Sequence, residues 1–184
     1  MLFILKIKFY LRRNLSRYRY WHSIRVASEC KRLAKYYNLN IKDAYLAGLL
    51  HDIAKEYDYD KVKYFINKYN LVIEEDYIIH SKIGALVARE LYNINDFVFN
   101  AILYHTIGNE SMNMLDKIVF IADKIEKKKD YPGVDILRKL AYVDIDKCLI
   151  SYLEKSDLYL KSLGKKLHGD SVKLLIRLED SFKE

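Results

Sequence analysis

An all-α fold is predicted by three features of the chain. Apolar residues recur at helical spacing along most of its length, no stretch alternates with a period of two, and one proline with six glycines in 184 residues leaves few of the turns an all-β fold needs. The opening run from Leu2 to Phe9 is apolar but interrupted by Lys6 and Lys8. It is too short for a membrane span and no small-residue cleavage site follows it, so residues 1–15 read as a basic, apolar extension. A helix over 16–37 sets His22, Val26, Cys30, Leu33 and Tyr37 on one face. Asn40 then reads as the N-cap of a helix carrying Ala44, Leu46, Ala47, Leu50 and His51. A charged, tyrosine-rich helix occupies 59–69. The next, over 76–91, aligns His80, Ile83, Gly84, Val87 and Leu91, with Asn93 as its stop. Asn95 opens a short helix with Val98, Ala101, Ile102 and His105 on its inner face, and Thr106 to Asn109 breaks it. A helix over 112–128 contains Val119, Phe120 and Asp123. Pro132-Gly133 is the strongest turn signal, and two amphipathic helices separated near Gly164 complete the chain.

No linker or repeat divides the sequence, and its length suits a single domain, residues 1–184 with a core over about 16–175, that buries roughly 70% of its unfolded surface. A hydrophobic content of 51% supports a real core. The excess of 32 Lys and Arg over 25 Asp and Glu gives +7, which could attract nucleic acid, an acidic membrane surface or a small polyanion such as a nucleotide. The positives are scattered rather than gathered in one stripe, which argues against nucleic acid. Cys30 and Cys148 are far apart and fit apolar stripes, so they read as small buried hydrophobes and give no sign of an oxidising compartment. A soluble cytoplasmic protein with no membrane attachment is expected, and a homodimer stays open.

Four of the five histidines, His22, His51, His80 and His105, fall on apolar stripes of different helices. One such histidine is usually a core residue bonded to a carbonyl. Four need a common partner. Asp52 follows His51 directly, and Asp123 sits within Ile118-Val119-Phe120-Ile121-Ala122-Asp123, where an unpaired carboxylate would be costly to bury. Four imidazoles and two carboxylates without a thiolate suit iron, manganese, zinc, nickel or cobalt. Six ligands exceed what one catalytic ion takes with a position left open, so a two-metal site bridged by Asp52 is expected. Such a pair can activate a hydroxide and clamp both oxygens of a phosphoryl displacement. Lys55, one turn beyond Asp52, could reach a phosphate held there, and Arg19, one turn before His22, could face the same site. Thr106 and Gly108 could let the backbone approach a nucleotide. His168 could line a nucleotide pocket or lie on the surface.

The ordered set His22, His51-Asp52, His80, His105 and Asp123 resembles the H…HD…H…H…D pattern of the HD-domain metal phosphohydrolases. His51-Asp52-Ile53-Ala54-Lys55, His105-Thr106-Ile107-Gly108, Ala122-Asp123-Lys124-Ile125-Glu126 and Tyr131-Pro132-Gly133-Val134 are similar to blocks of the bacterial YqeK-like family, over about residues 16–175. The resemblance implies a symmetrical diadenosine tetraphosphate hydrolase that yields two ADP at a site of two iron ions. It also implies a substrate-binding arginine where this chain has Lys129, which keeps the charge but loses bidentate recognition of phosphate. The metal set alone leaves other nucleotides open: a nucleoside monophosphate, a dNTP or a guanosine alarmone. A basic RNA-binding module with a structural metal, and a helical interaction protein with none, are the alternatives outside that class.

Overall fold

The computed structural model describes residues 2–72 and 75–183. Among them ten helices and no strand are found: α1 (Leu2–Asn14), α2 (Arg17–Tyr36), α3 (Ile41–Leu50), α4 (Tyr59–Tyr69), α5 (Asp76–Tyr92), α6 (Asp96–Tyr104), α7 (Met114–Ile125), α8 (Val134–Leu140), α9 (Ile145–Ser162) and α10 (Gly169–Asp180). Most starts are fixed by a short polar side chain that accepts from the first free backbone amides. Asn40 does so for α3, Asp58 for α4, Asn95 for α6 and Asp144 for α9, and Asn113 with Asp116 closes a reciprocal capping box on α7. Asn70 and Asn93 end α4 and α5 in the left-handed region, which asparagine tolerates better than other side chains.

α7 is the centre of the molecule. Ile118, Val119, Phe120, Ile121, Ala122 and Ile125 are all buried, so the helix is apolar nearly all round, and it packs against α2, α3, α6, α8 and α9. α2 and α3 meet at Gly48, where a Cβ would lie 2.7 Å from Cys30 Sγ and 2.9 Å from Ala27 Cα. Only a residue without a side chain lets the helices come that close, and this approach sets His22 beside His51. Both cysteines are free and buried.

The structure differs from the sequence reading in one unexpected helix, one boundary and one break. Residues 2–14 form a helix whose Ile7 and Leu11 are fully buried in the core, since Lys6 and Lys8 fall on its outer faces (Met1 lies outside the described residues). α7 stops at Ile125, before the expected residue 128, because Glu126 turns to extended backbone (ψ 151°) and sends its carboxylate inward. The stretch after Gly133 holds three helices, because Asp144 caps a fresh start at Ile145. Among the described residues, no helix is long and apolar enough to cross a membrane.

Candidate metal centre

The six expected ligands converge from five helices. His22 stands on α2, His80 on α5 and Asp123 on α7, whereas His51 and His105 cap the C-terminal ends of α3 and α6, and Asp52 follows in the turn. Asp52 divides its oxygens. Oδ1 lies 3.5 Å from His80 Nε2 and 3.5 Å from His105 Nε2, while Oδ2 lies 3.4 Å from His51 Nε2 and 3.9 Å from His22 Nε2. Two buried triads result, His22–His51–Asp52 and Asp52–His80–His105, joined by one carboxylate. Asp123 Oδ1 completes the first, 2.9 Å from His22 Nε2 and 3.8 Å from His51 Nε2.

The outer ring nitrogens show how these imidazoles are held. His51 Nδ1 donates to Gly48 O at 2.8 Å and His105 Nδ1 to Ile102 O at 2.7 Å, so both rings turn an Nε2 lone pair toward the centre. His22 instead has Glu126 Oε1 3.2 Å from its Nδ1. Glu126 is itself fixed by the Arg25 guanidinium (2.7 and 3.2 Å) and the amide of Lys128 (2.8 Å). The inward Nε2 atoms of His22 and His51 are buried and make no hydrogen bond within the described residues. Orphaned nitrogens of this kind, aimed at a shared carboxylate, fit a divalent metal ion as the missing partner. The charge states agree. Burial pushes His80 down to about 2, with His105 and Lys55 adding to the effect, and burial lowers His105 too, so both rings are neutral at neutral pH, the state in which an imidazole can hold a metal. Burial pushes the Asp52 carboxyl up, but the His51 and His105 rings more than offset this and hold it well below the usual carboxylate range. At Asp123, burial acts in the same direction and is overcome first by Lys124, then by His22.

The sequence profile of the HD domain family matches residues 19–128, which span four of these five helices whole and most of α2. The chain belongs to the HD-domain family. A relative in Staphylococcus aureus named symmetrical bis(5'-nucleosyl)-tetraphosphatase is 35% identical over 84% of this chain and 84% of its own length. One of the same name in Halalkalibacterium halodurans is 32% identical, covering 86% and 88%. A Clostridium acetobutylicum crystal structure, described as a predicted HD superfamily hydrolase involved in NAD metabolism, superposes with a TM-score of 0.90 at 33% identity over 96% of each chain. The doublet that gives the HD domain its name is His51-Asp52 in this chain.

Around the HD-domain centre lie most of the other expected residues. Arg19 Nη1 bonds Asp52 Oδ2 at 2.9 Å, Lys55 Nζ sits 3.3 Å from both ring nitrogens of His80, and Lys129 Nζ is 3.7 Å from Asp123 Oδ1. Thr106 Oγ1 is 3.3 Å from the Nε2 atoms of His80 and His105. From Thr106 a cleft of about 770 Å³ runs between Phe120, Tyr152 and the Lys165–His168 segment, a volume in the ordinary range of small-molecule pockets. His168 therefore borders this cleft, and its Nδ1 also accepts from Asp170 N to start α10. Gly108 is not among the residues of the centre. It takes φ +77°, and a Cβ there would lie 2.5 Å from Leu174 Cδ2, so it lets the turn pack against α10. Three residues of the site were missed by sequence reasoning: Glu126, Arg25 and Lys124, whose ammonium bonds Asp123 Oδ2 at 2.7 Å. The available signal was spacing, since Arg25 follows His22 and Glu126 follows Asp123 by three residues.

Proposed function

We propose that this chain is a metal-dependent hydrolase that cleaves diadenosine tetraphosphate symmetrically into two ADP, with the whole chain forming one HD-type domain. The observation that carries the reading is the Asp52 carboxylate shared between two histidine pairs, in a chain 32–35% identical to relatives named for that activity. His22, His51, Asp52 and Asp123 would hold one ion, and Asp52, His80 and His105 the other. The family resemblance favours iron, and the donor set also admits manganese, cobalt, nickel or zinc. Two such ions supply Lewis acidity and make water acidic enough to act as a nucleophile at neutral pH.

The protein's own residues then have distinct tasks. Lys55 offers a cation one turn from Asp52, and its contact with a neutral imidazole leaves it free to turn to a phosphate oxygen. Arg19 is anchored on Asp52 with one arm of its fork and has further donors for a second phosphate. Lys129 adds charge without bidentate geometry. Thr106 can donate at the mouth of the cleft, where His168 and Tyr152 would take a nucleoside. Gly108 serves this site indirectly, through the shape of the turn. We infer a cytoplasmic location, where a nucleotide substrate of this kind would be met. The test is chromatography of products after incubation with diadenosine tetraphosphate. ADP as sole product is expected; AMP with ATP would refute symmetric cleavage, and inactivity beside good turnover of a nucleoside monophosphate would move the chain to another nucleotide.

A further inference from the structure

The cations themselves are spread along the chain, but their net excess over the acids is confined to one end. The first acidic residue is Glu29, and the residues before it contain seven cations, so the other 25 Lys and Arg are balanced by 25 Asp and Glu. Arg19 and Arg25 of that set turn inward, onto Asp52 and Glu126. Four of the rest lie on α1 around an apolar stripe. Leu2, Leu5 and Phe9 share one face at spacings of three and four, and they are 70%, 54% and 61% exposed. Lys6 and Arg13 run along one edge of this stripe, Lys8 and Arg12 along the other, and the Arg13 guanidinium lies 4.6 Å over the Phe9 ring. The opposite face is occupied: Ile7 and Leu11 are fully buried, and the Tyr10 hydroxyl bonds that of Tyr57 at 2.7 Å. α1 is thus fastened to the domain with its apolar, cation-edged face outward.

We propose that this face of α1 docks the protein on an anionic lipid surface. A helix lies in the plane of a bilayer when an apolar stripe can enter the acyl boundary while flanking cations meet acidic headgroups. The Lys and Arg stems on both edges can extend along the stripe and keep their charges in the headgroup layer. RNA would use the cations but leave Leu2 and Leu5 without a partner. A second copy would bring four like charges against these four, because α1 contains no acid. The attachment is peripheral, since among the described residues no helix can span a membrane.

The test is co-sedimentation of the full-length, metal-loaded protein with phosphatidylcholine vesicles, with and without phosphatidylglycerol. Binding at least tenfold tighter to the anionic vesicles, and weaker as salt rises, is expected. Each cation near such a surface is worth roughly fivefold, so Arg12→Ala with Arg13→Ala should weaken binding by roughly 25-fold. Leu5→Ser with Phe9→Ser should also release the protein from vesicles, while its melting midpoint and nucleotide hydrolysis stay as in the parent. Equal binding to neutral vesicles, or none to either, would overturn the proposal. So would an RNA oligonucleotide bound equally by the Leu5→Ser/Phe9→Ser variant when vesicles are not bound by the parent. A dimer in light scattering that this variant dissolves would assign the face to a second copy instead.

Discussion

His22 differs from His51 and His105 in having a carboxylate, rather than a backbone carbonyl, on its outer nitrogen. A negative group there raises the basicity of the inward nitrogen, and partners of this kind commonly contribute about 10–100-fold to metal affinity. Glu126→Gln should therefore weaken metal binding by that order; a titration of apoprotein with Mn²⁺ in which the variant matches the parent would reduce Glu126 to a packing role. Lys55 is the complementary case, a cation at the centre that cannot itself be a ligand while protonated. Lys55→Ala should lower turnover by about 10²–10³ with metal content nearly unchanged, and Lys55→Arg should recover part of the loss. Steady-state kinetics and metal quantification on the same preparations decide this, and unchanged kinetics would leave Lys55 with no part in turnover. His22, His51, Asp52, His80, His105 and Asp123 were legible because a polar residue on an apolar stripe is anomalous within its own helix. Glu126 and Lys124 were not, because in a helix expected to run to residue 128 a charged position reads as solvated, and Glu126 points inward only because α7 ends at Ile125.

Helix ends do much of the positioning. His51 and His105 sit at the C-terminal caps of α3 and α6, where free carbonyls leave a partial negative charge that favours a cation nearby. The same two residues bond a carbonyl of their own last turn, so each helix aims its imidazole. The α2–α3 approach then decides whether His22 and His51 meet. Gly48→Ala puts a methyl within 3 Å of Ala27 Cα, a backbone atom that cannot move aside, so the helices must separate. Overpacking of this type costs about 1–3 kcal/mol, which for a chain of this size is roughly 2–4 °C in melting midpoint per kcal/mol. An unchanged midpoint in a thermal melt would show that α2 and α3 can slip without loss. Helix identity was readable from periodicity everywhere except at α1, with α8 and α9 read as one, and caps at Asn40, Asn95 and Asn93 located the boundaries. The break at Asp144 was hidden because apolar residues keep helical spacing on both sides of it, leaving the cap as the sole signal.

Across the whole molecule, the centre joins helices that are distant in sequence, from α2 near the start to α7 beyond the middle. Ions bound there hold the native state and not the unfolded chain, so stripping them should lower the melting midpoint. Identical midpoints with and without chelator would make the centre peripheral to stability. The stripped protein should also respond to acid in a set direction. His80 and His105 have folded pKa values below the ordinary 6.5, chiefly through burial, so the unfolded chain takes up protons first as pH falls. Their contribution to stability is complete above about pH 6.5 and is lost progressively below it. His22 acts in the opposite sense, since Asp123 and Glu126 outweigh burial and raise it, giving stability that is present below pH 6.5 and fades as pH rises through its folded value. With two rings against one, and the His80 displacement reaching down to about 2, acid destabilisation should win. Melts of chelated protein at pH 7.5 and about pH 5.5 should therefore show a lower midpoint at the more acid value, over a window set by histidine pKa values. A higher midpoint in acid would mean that the His22–Glu126 pair dominates the empty cluster.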